Sequence, residues 1–197
     1  MDNQAQPRKF QTIVTHGDAG VDDLSNIAPP IHPTTTFLAR DALDFAEMAT
    51  EPRHPRYYTR YGNPTHQRVE KTIAQLEGAE AALVTGSGMG AITATMLALL
   101  TSGDHVVAQQ NHYMGTTKLL SELLPRFGVT ASFVDQTDPA AFADAIQNNT
   151  RLLMLESPVN PLLHLTDLNA TAALAKERGI LAVVDNTFAT PINQRPL

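Results

Sequence analysis

From residue 66 onward, short apolar runs alternate along the chain with longer segments whose apolar positions recur at helical spacing. The helix-like segments are 67–77, with Val69, Ile73 and Leu76 on one side, then 91–100, 116–127, 139–147 and 167–178. The intervening runs, partly β-branched, are 81–84, 105–109, 129–134, 152–155 and 180–184. Short apolar strands separated by amphipathic helices predict a parallel sheet covered on both faces. Residues 66–197 are therefore expected to form a three-layer α/β sandwich with a mainly parallel sheet.

Residues 1–65 have a different texture. Seven of the 13 prolines fall there (Pro7, Pro29, Pro30, Pro33, Pro52, Pro55 and Pro64) and interrupt hydrogen-bonded runs. The one expected helix is 41–50, where Ala42, Phe45, Ala46 and Ala49 share helical spacing. A segment this poor in periodic apolar residues is expected to be an extended arm lying on the body or on another subunit.

Charge and composition then remove several kinds of chemistry. Fourteen Lys and Arg against 20 Asp and Glu give a formal net charge of -6, which repels a phosphate backbone and disfavours nucleic-acid binding. With no cysteine, disulfides, Cys-ligated zinc, iron–sulfur clusters and thiol nucleophiles are excluded. The seven histidines lack metal-ligand spacing such as His-Glu-x-x-His, so no metal site is expected. The first ten residues are polar and lead into no apolar stretch, so neither a secretory signal nor a membrane span is expected and the cytoplasm is the expected location.

Ligands of open parallel sheets gather beyond the carboxyl ends of the strands. Beyond 81–84 lies Gly86-Ser87-Gly88-Met89-Gly90, and beyond 105–109 lies Asn111-His112-Tyr113. Beyond 152–155 comes Glu156-Ser157-Pro158-Val159-Asn160-Pro161, and beyond 180–184 comes Asp185-Asn186-Thr187-Phe188. The glycine segment, opening a helix, has free amides that suit a phosphate, although it matches neither the dinucleotide nor the ATPase glycine pattern; a ligand-free tight turn is the other reading. Asp185 ends a near-continuous apolar run and is expected at the lip of a central strand. A carboxylate there needs a partner; a protonated pyridine nitrogen supplies one, and a helix cap or loop acid is the alternative. Tyr113 reads either as packing or as a ring stacked on a flat cofactor. Asn160, between two prolines, either donates to a phenolic oxygen or satisfies its own turn. Arg53, Arg56 and Arg60, interleaved with Tyr57, Tyr58 and Tyr61, read as an anion clamp, a solvated basic surface or a nucleic-acid patch.

These motifs also occur together. Tyr58-Thr59-Arg60-Tyr61-Gly62-Asn63-Pro64-Thr65, Leu76-Glu77-Gly78, Ser87-Gly88-Met89, His112-Tyr113-Met114-Gly115-Thr116, Glu156-Ser157-Pro158-Val159-Asn160-Pro161 and Val184-Asp185-Asn186-Thr187-Phe188 stand in an order and spacing that resemble the amino-terminal half of the Cys/Met-metabolism family. That family of pyridoxal 5′-phosphate (PLP) enzymes includes cystathionine γ-synthase, cystathionine lyases, O-acylhomoserine sulfhydrylases and methionine γ-lyase. The resemblance implies the large domain of the aspartate-aminotransferase type (type I) and PLP as cofactor. It implies that the amides of Gly88 and Met89 hold the PLP phosphate, and that Tyr58 and Arg60 reach it from a neighbouring subunit of a homo-oligomer, a dimer of dimers. Tyr113 would stack on the ring and take part in catalysis, Asp185 would pair with the ring nitrogen, and Asn160 and Thr187 would orient the ring.

In the family a Ser-x-Thr-Lys motif follows Asp-Asn-Thr-Phe by roughly twenty residues, and its lysine carries the cofactor. Residues 1–197 contain no such motif, so the chain is expected to be a truncated large domain, lacking the lysine-bearing part and the carboxyl-terminal domain and inactive alone. A non-catalytic fragment or oligomerisation module is the reading of a different class. Gly115 stands where methionine γ-lyases have cysteine. The resemblance therefore favours γ-replacement on an O-acylhomoserine, with a γ- or β-lyase as the near alternative.

Overall fold

A computed structural model describes residues 8–21 and 27–197. The chain forms two compact units, Met1–Val84 with Leu197, and Thr85–Pro196. Pro7 and the parts of the expected arm at 1–7 and 22–26 lie outside the described residues.

The first unit holds α1 (Phe10–His16), α2 (Ala42–Thr50) and α3 (Pro64–Glu77). Asp41 begins α2 by accepting from the amides of Leu43 and Asp44, both at 2.9 Å, as the 41–50 pattern predicts. Asn63 caps α3 through the Thr65 amide, Pro64 takes the first turn, and Gly78 ends the helix at φ 73°, a backbone that strains other residues. The helix α1 was not foreshadowed by periodicity. It is held by α3 and its flanks: Arg68 pairs with Asp18 at 2.7 Å, and Gln75 and Lys71 donate to the carbonyls of Gly17 and Ala19. The change in sequence texture at 65/66 thus falls inside this unit, because α3 packs on segments that precede it.

In the second unit, α4 (Gly88–Leu99) is followed by β1 (His105–Gln109), α5 (Met114–Lys118), β2 (Thr130–Val134), α6 (Pro139–Ala145), β3 (Thr150–Glu156), α7 (Leu168–Arg178), β4 (Leu181–Asp185) and a short α8 (Thr190–Asn193). The four strands pair in parallel in the order β2-β1-β3-β4. Alternate strand residues face opposite layers. Val106, Ala108, Leu152 and Met154 meet Met96 of α4 and Leu119, Leu120 and Leu124. Val107, Leu153 and Leu155 meet Phe142 of α6 and Ala175 of α7. Helices therefore cover both faces, and the three-layer parallel sandwich is the observed architecture. Burying each of these Leu, Val, Met and Phe side chains stabilises the fold by about 1.5–3 kcal/mol.

Two expectations need correction. Residues 81–84 are not a strand: the Val84 amide donates to the Glu70 carboxylate at 3.0 Å instead of to a neighbouring chain, so the sheet has four strands among the described residues. The expected helix 116–127 changes pitch after α5, through a π turn (Leu119–Leu123) and a 3₁₀ turn (Leu124–Phe127) where Pro125 lacks an amide to donate. Among the described residues β4 stands last in the strand order, with Asp185 at its carboxyl end. No described helix is long and apolar enough to cross a membrane.

Candidate active site

A cavity of about 410 Å³ opens within the second unit, within the size range of small-molecule sites. It collects six of the residues expected from sequence: Gly88, Met89, Tyr113, Asn160, Asp185 and Thr187. Ser87, Ile92, Glu156 and Phe188 complete its lining.

At one end stands the start of α4. Ser87 is extended (φ -165°, ψ 160°) and its hydroxyl accepts from the Gly90 amide at 3.0 Å. The amides of Gly88 and Met89 donate to no described acceptor, leaving the orphan donors of a helix start free for an anion. A Cβ placed on Gly86 or Gly88 would meet nothing within 4 Å, so the space before these amides is open.

Tyr113 opens α5, with the Thr116 and Thr117 amides returning to its carbonyl, and its side chain stays half exposed to the cavity. Gly115 permits its neighbours to close in. A Cβ there would lie 2.7 Å from Met89 Sδ and 2.9 Å from Tyr113 Cε1.

The carboxyl ends of β3 and β4 supply the acids. Glu156 and Asp185 are in register across the two strands. Asp185 Oδ1 accepts from the Thr187 amide at 3.0 Å and from its hydroxyl, while Oδ2 has no partner among the described residues. Glu156 is 5% exposed. Its Oε2 accepts from the Tyr113 amide at 2.7 Å and its Oε1 from the Asn160 amide at 3.1 Å. His112 Nδ1 lies 3.6 Å from Oε2, within ion-pair distance but beyond hydrogen-bond reach, and neither ring nitrogen has a hydrogen-bond partner among the described residues. Burial pushes the Glu156 carboxyl up, but His112 and the two amides outweigh it and hold the group below the usual glutamate range.

Gln109, fully buried, locks this edge in place. Its Nε2 donates to the carbonyls of Asn111 (2.7 Å) and Glu156 (2.9 Å). Its Oε1 accepts from the Glu156 amide (2.9 Å) and the Thr166 hydroxyl (3.0 Å). The end of β1 and the end of β3 are thereby joined by a side chain.

Tyr58 and Arg60 lie in the first unit and are not among the residues lining this cavity. Arg60 Nη2 approaches the Tyr58 hydroxyl at 3.4 Å, and its guanidinium carbon stands 5.0 Å from the ring centroid. Sequence reasoning assigned no role to Gln109 or Glu156. The sequence signals for them were position, at strand ends whose following loops carried a candidate residue, and for Glu156 also its place at the head of the Glu156-Ser157-Pro158-Val159-Asn160-Pro161 motif.

Free amides at a helix start, an aromatic face at Tyr113 and a carboxylate with one open oxygen form a donor set that fits a flat ligand with a phosphate and a cationic ring nitrogen. PLP has that chemistry.

Comparison with known proteins agrees. Residues 11–197 match the family model described as "Cys/Met metabolism PLP-dependent enzyme". The chain is 40% identical over 190 residues to a protein of Herpetosiphon aurantiacus named "Probable cystathionine gamma-synthase", covering 95% of this chain and 56% of that one. It is 38% identical over 191 residues to the "Cystathionine gamma-lyase" of Bacillus subtilis, covering 96% and 48%. A crystal structure from Campylobacter jejuni with N′-pyridoxyl-lysine-5′-monophosphate at its position 205 superposes with a TM-score of 0.88 at 29% identity, covering 96% of this chain and 47% of that one. The chain thus spans about half the length of the proteins it matches. Sequence over nearly its whole length and a fold shared with a pyridoxyl-bearing structure make this chain a member of the Cys/Met-metabolism family of PLP-dependent enzymes.

Proposed function

We propose that residues 1–197 bind PLP for trans-sulfuration, with γ-replacement on an O-acylhomoserine, yielding cystathionine or homocysteine, as the reaction served. The observation that supports this most is the convergence of Gly88, Met89, Tyr113, Asn160, Asp185 and Thr187 on one cavity. Bound PLP supplies an electron sink for the carbon beside the amino group of the substrate. The chain supplies the rest.

The amides of Gly88 and Met89 hold the phosphate, with the start of α4 favouring negative charge. Asp185, oriented by Thr187, keeps a proton on the ring nitrogen with its open oxygen. Asn160 orients the ring through its side-chain amide. The Tyr113 face excludes water from one side of the ring, and its hydroxyl can hold or move a proton at the departing γ-substituent. Tyr58 and Arg60 complete the phosphate site from a neighbouring subunit of a homo-oligomer, which gives an acidic chain a reason for a basic, tyrosine-rich arm.

Gly115 supports replacement over methionine γ-elimination. A cysteine there would require Met89 and Tyr113 to move apart. A second reading, elimination on cystathionine, has the name of the Bacillus subtilis relative in its favour.

The test has two stages. Equilibrium dialysis of the full chain against PLP should show saturable binding, and Asp185→Asn should weaken it; no binding by the parent would reject the cofactor reading. O-succinylhomoserine or O-acetylhomoserine supplied with cysteine or sulfide to the protein carrying these residues should then give the thioether or thiol product. Release of a 2-oxo acid without thiol would favour elimination, and PLP binding without any turnover would favour a non-catalytic module.

A further inference from the structure

Glu156 lines the cavity, yet both of its carboxylate oxygens turn back to main-chain amides rather than toward a ligand. The two amides belong to Tyr113 and Asn160, and neither donates to any other described group. Tyr113 follows β1 and Asn160 follows β3, so one carboxylate ties two loops that come from different strands. Its own main-chain N–H and C=O are both bonded by the Gln109 side chain.

A carboxylate this buried gains little from water and depends on its protein donors. Bonds from amides to a charged acceptor are also roughly twice as strong as neutral ones. Breaking either bond leaves the carboxylate half satisfied, which couples the two amides energetically.

We infer that Glu156 is a positioning residue that fixes Tyr113 and Asn160 as one unit, so that the aromatic face and the asparagine amide of the cavity are placed together. This rests on reading the cavity as the PLP site. Glutamine at 156 keeps the length but presents an NH₂ group to one of the two amides, so only one tether survives. Aspartate keeps the charge but withdraws the carboxylate by one methylene.

Amide hydrogen exchange on the full chain without ligand, combined with equilibrium dialysis against PLP, tests the inference. In the parent protein the Tyr113 and Asn160 amides are expected to exchange slowly and at matched protection factors. In Glu156→Gln at least one should exchange about tenfold faster or more, and PLP affinity of the folded protein should fall about tenfold or more. Glu156→Asp should lose affinity as well, separating reach from charge.

An unprotected Asn160 amide beside a protected Tyr113 amide in the parent would overturn the inference, and that result needs no variant to fold. Unchanged PLP affinity in folded Glu156→Gln would overturn it too, since a purely structural role would lower stability alone. If the parent shows matched protection but binds no PLP, the cofactor reading fails while the tether stands.

Discussion

Replacing Gln109 by methionine, which keeps length and removes all polar atoms, isolates the contribution of one side chain to the sheet edge that builds the site. Four hydrogen bonds disappear, and the two to the Glu156 peptide lie in a fully buried setting. Leaving a buried amide and a buried carbonyl unsatisfied costs about 1–3 kcal/mol each, hence about 2–6 kcal/mol for the pair. At roughly 2–4 °C per kcal/mol for a chain of this size, the melting temperature should fall by roughly 4–24 °C. Differential scanning calorimetry measures this directly.

Gln109→Glu sharpens the argument. One carboxyl oxygen of that variant can still accept from the Glu156 amide, but the other faces the carbonyls of Asn111 and Glu156 and needs a proton to donate. Its folded pKa should therefore rise above the unfolded value of about 4.3. The proton-linked stability is complete below that unfolded value and is lost as pH rises through the folded one. Gln109→Glu should accordingly approach the parent protein as pH is lowered from 7 toward 5. A methionine variant melting within about 2 °C of the parent, or a glutamate variant with no such recovery, would refute the account of this lock.

Other perturbations probe separate parts of the molecule. His105 is buried, contacts Thr150, Ser132 and Gln147, and is held below the usual imidazole range by desolvation. The unfolded chain takes up that proton first, so stability should fall as pH drops through about 6.5, with no contribution from this group well above it; urea midpoints of the parent and His105→Gln between pH 8 and 5 should show the flatter profile in the variant. Gly115→Cys should push Met89 or Tyr113 aside, because its Cβ would otherwise lie below 3 Å from both, and weaken PLP binding; unchanged affinity in dialysis would show that the two side chains give way freely. Arg60→Ala in the assembled protein should weaken PLP retention, and equal retention would reject the clamp assigned to Tyr58 and Arg60.

The second unit was legible where run length and composition agreed. The four strands fall on the apolar runs at 105–109, 129–134, 152–155 and 180–184 to within two residues, and the two inner ones, β1 and β3, are buried at nearly every position as strands covered on both faces are. The run at 81–84 has the same composition but no neighbour to pair with among the described residues, and periodicity over four residues cannot reveal that. Pro125 marked the change of pitch in the segment 116–127, although the apolar spacing of Leu119, Leu120 and Leu124 continued across it.

In the site, Gly88, Tyr113, Asn160 and Asp185 were readable because each ends or follows a strand or opens a helix, where sheet architecture delivers ligands. Glu156 and Gln109 were present at those same edges but, apart from the local Asn160 amide and Asn111 carbonyl, act there on backbone amides and carbonyls across the sheet, far away in sequence. No residue pattern records such a partner before the strand order is known.

The in-register placement of Glu156 beside Asp185 also gives the cavity a polarity. Neighbouring strands are about 4.8 Å apart, so two acidic residues end adjacent strands at neighbouring positions of the cavity lining. The orphan amides of Gly88 and Met89 present partial positive charge from the start of α4. A molecule with an anionic group at one end and a cationic one at the other would feel a torque on entering, and the reversed pose would be opposed at both ends. The cavity can thus select orientation during approach, ahead of contact, and that selection should weaken as added salt shortens the reach of the field.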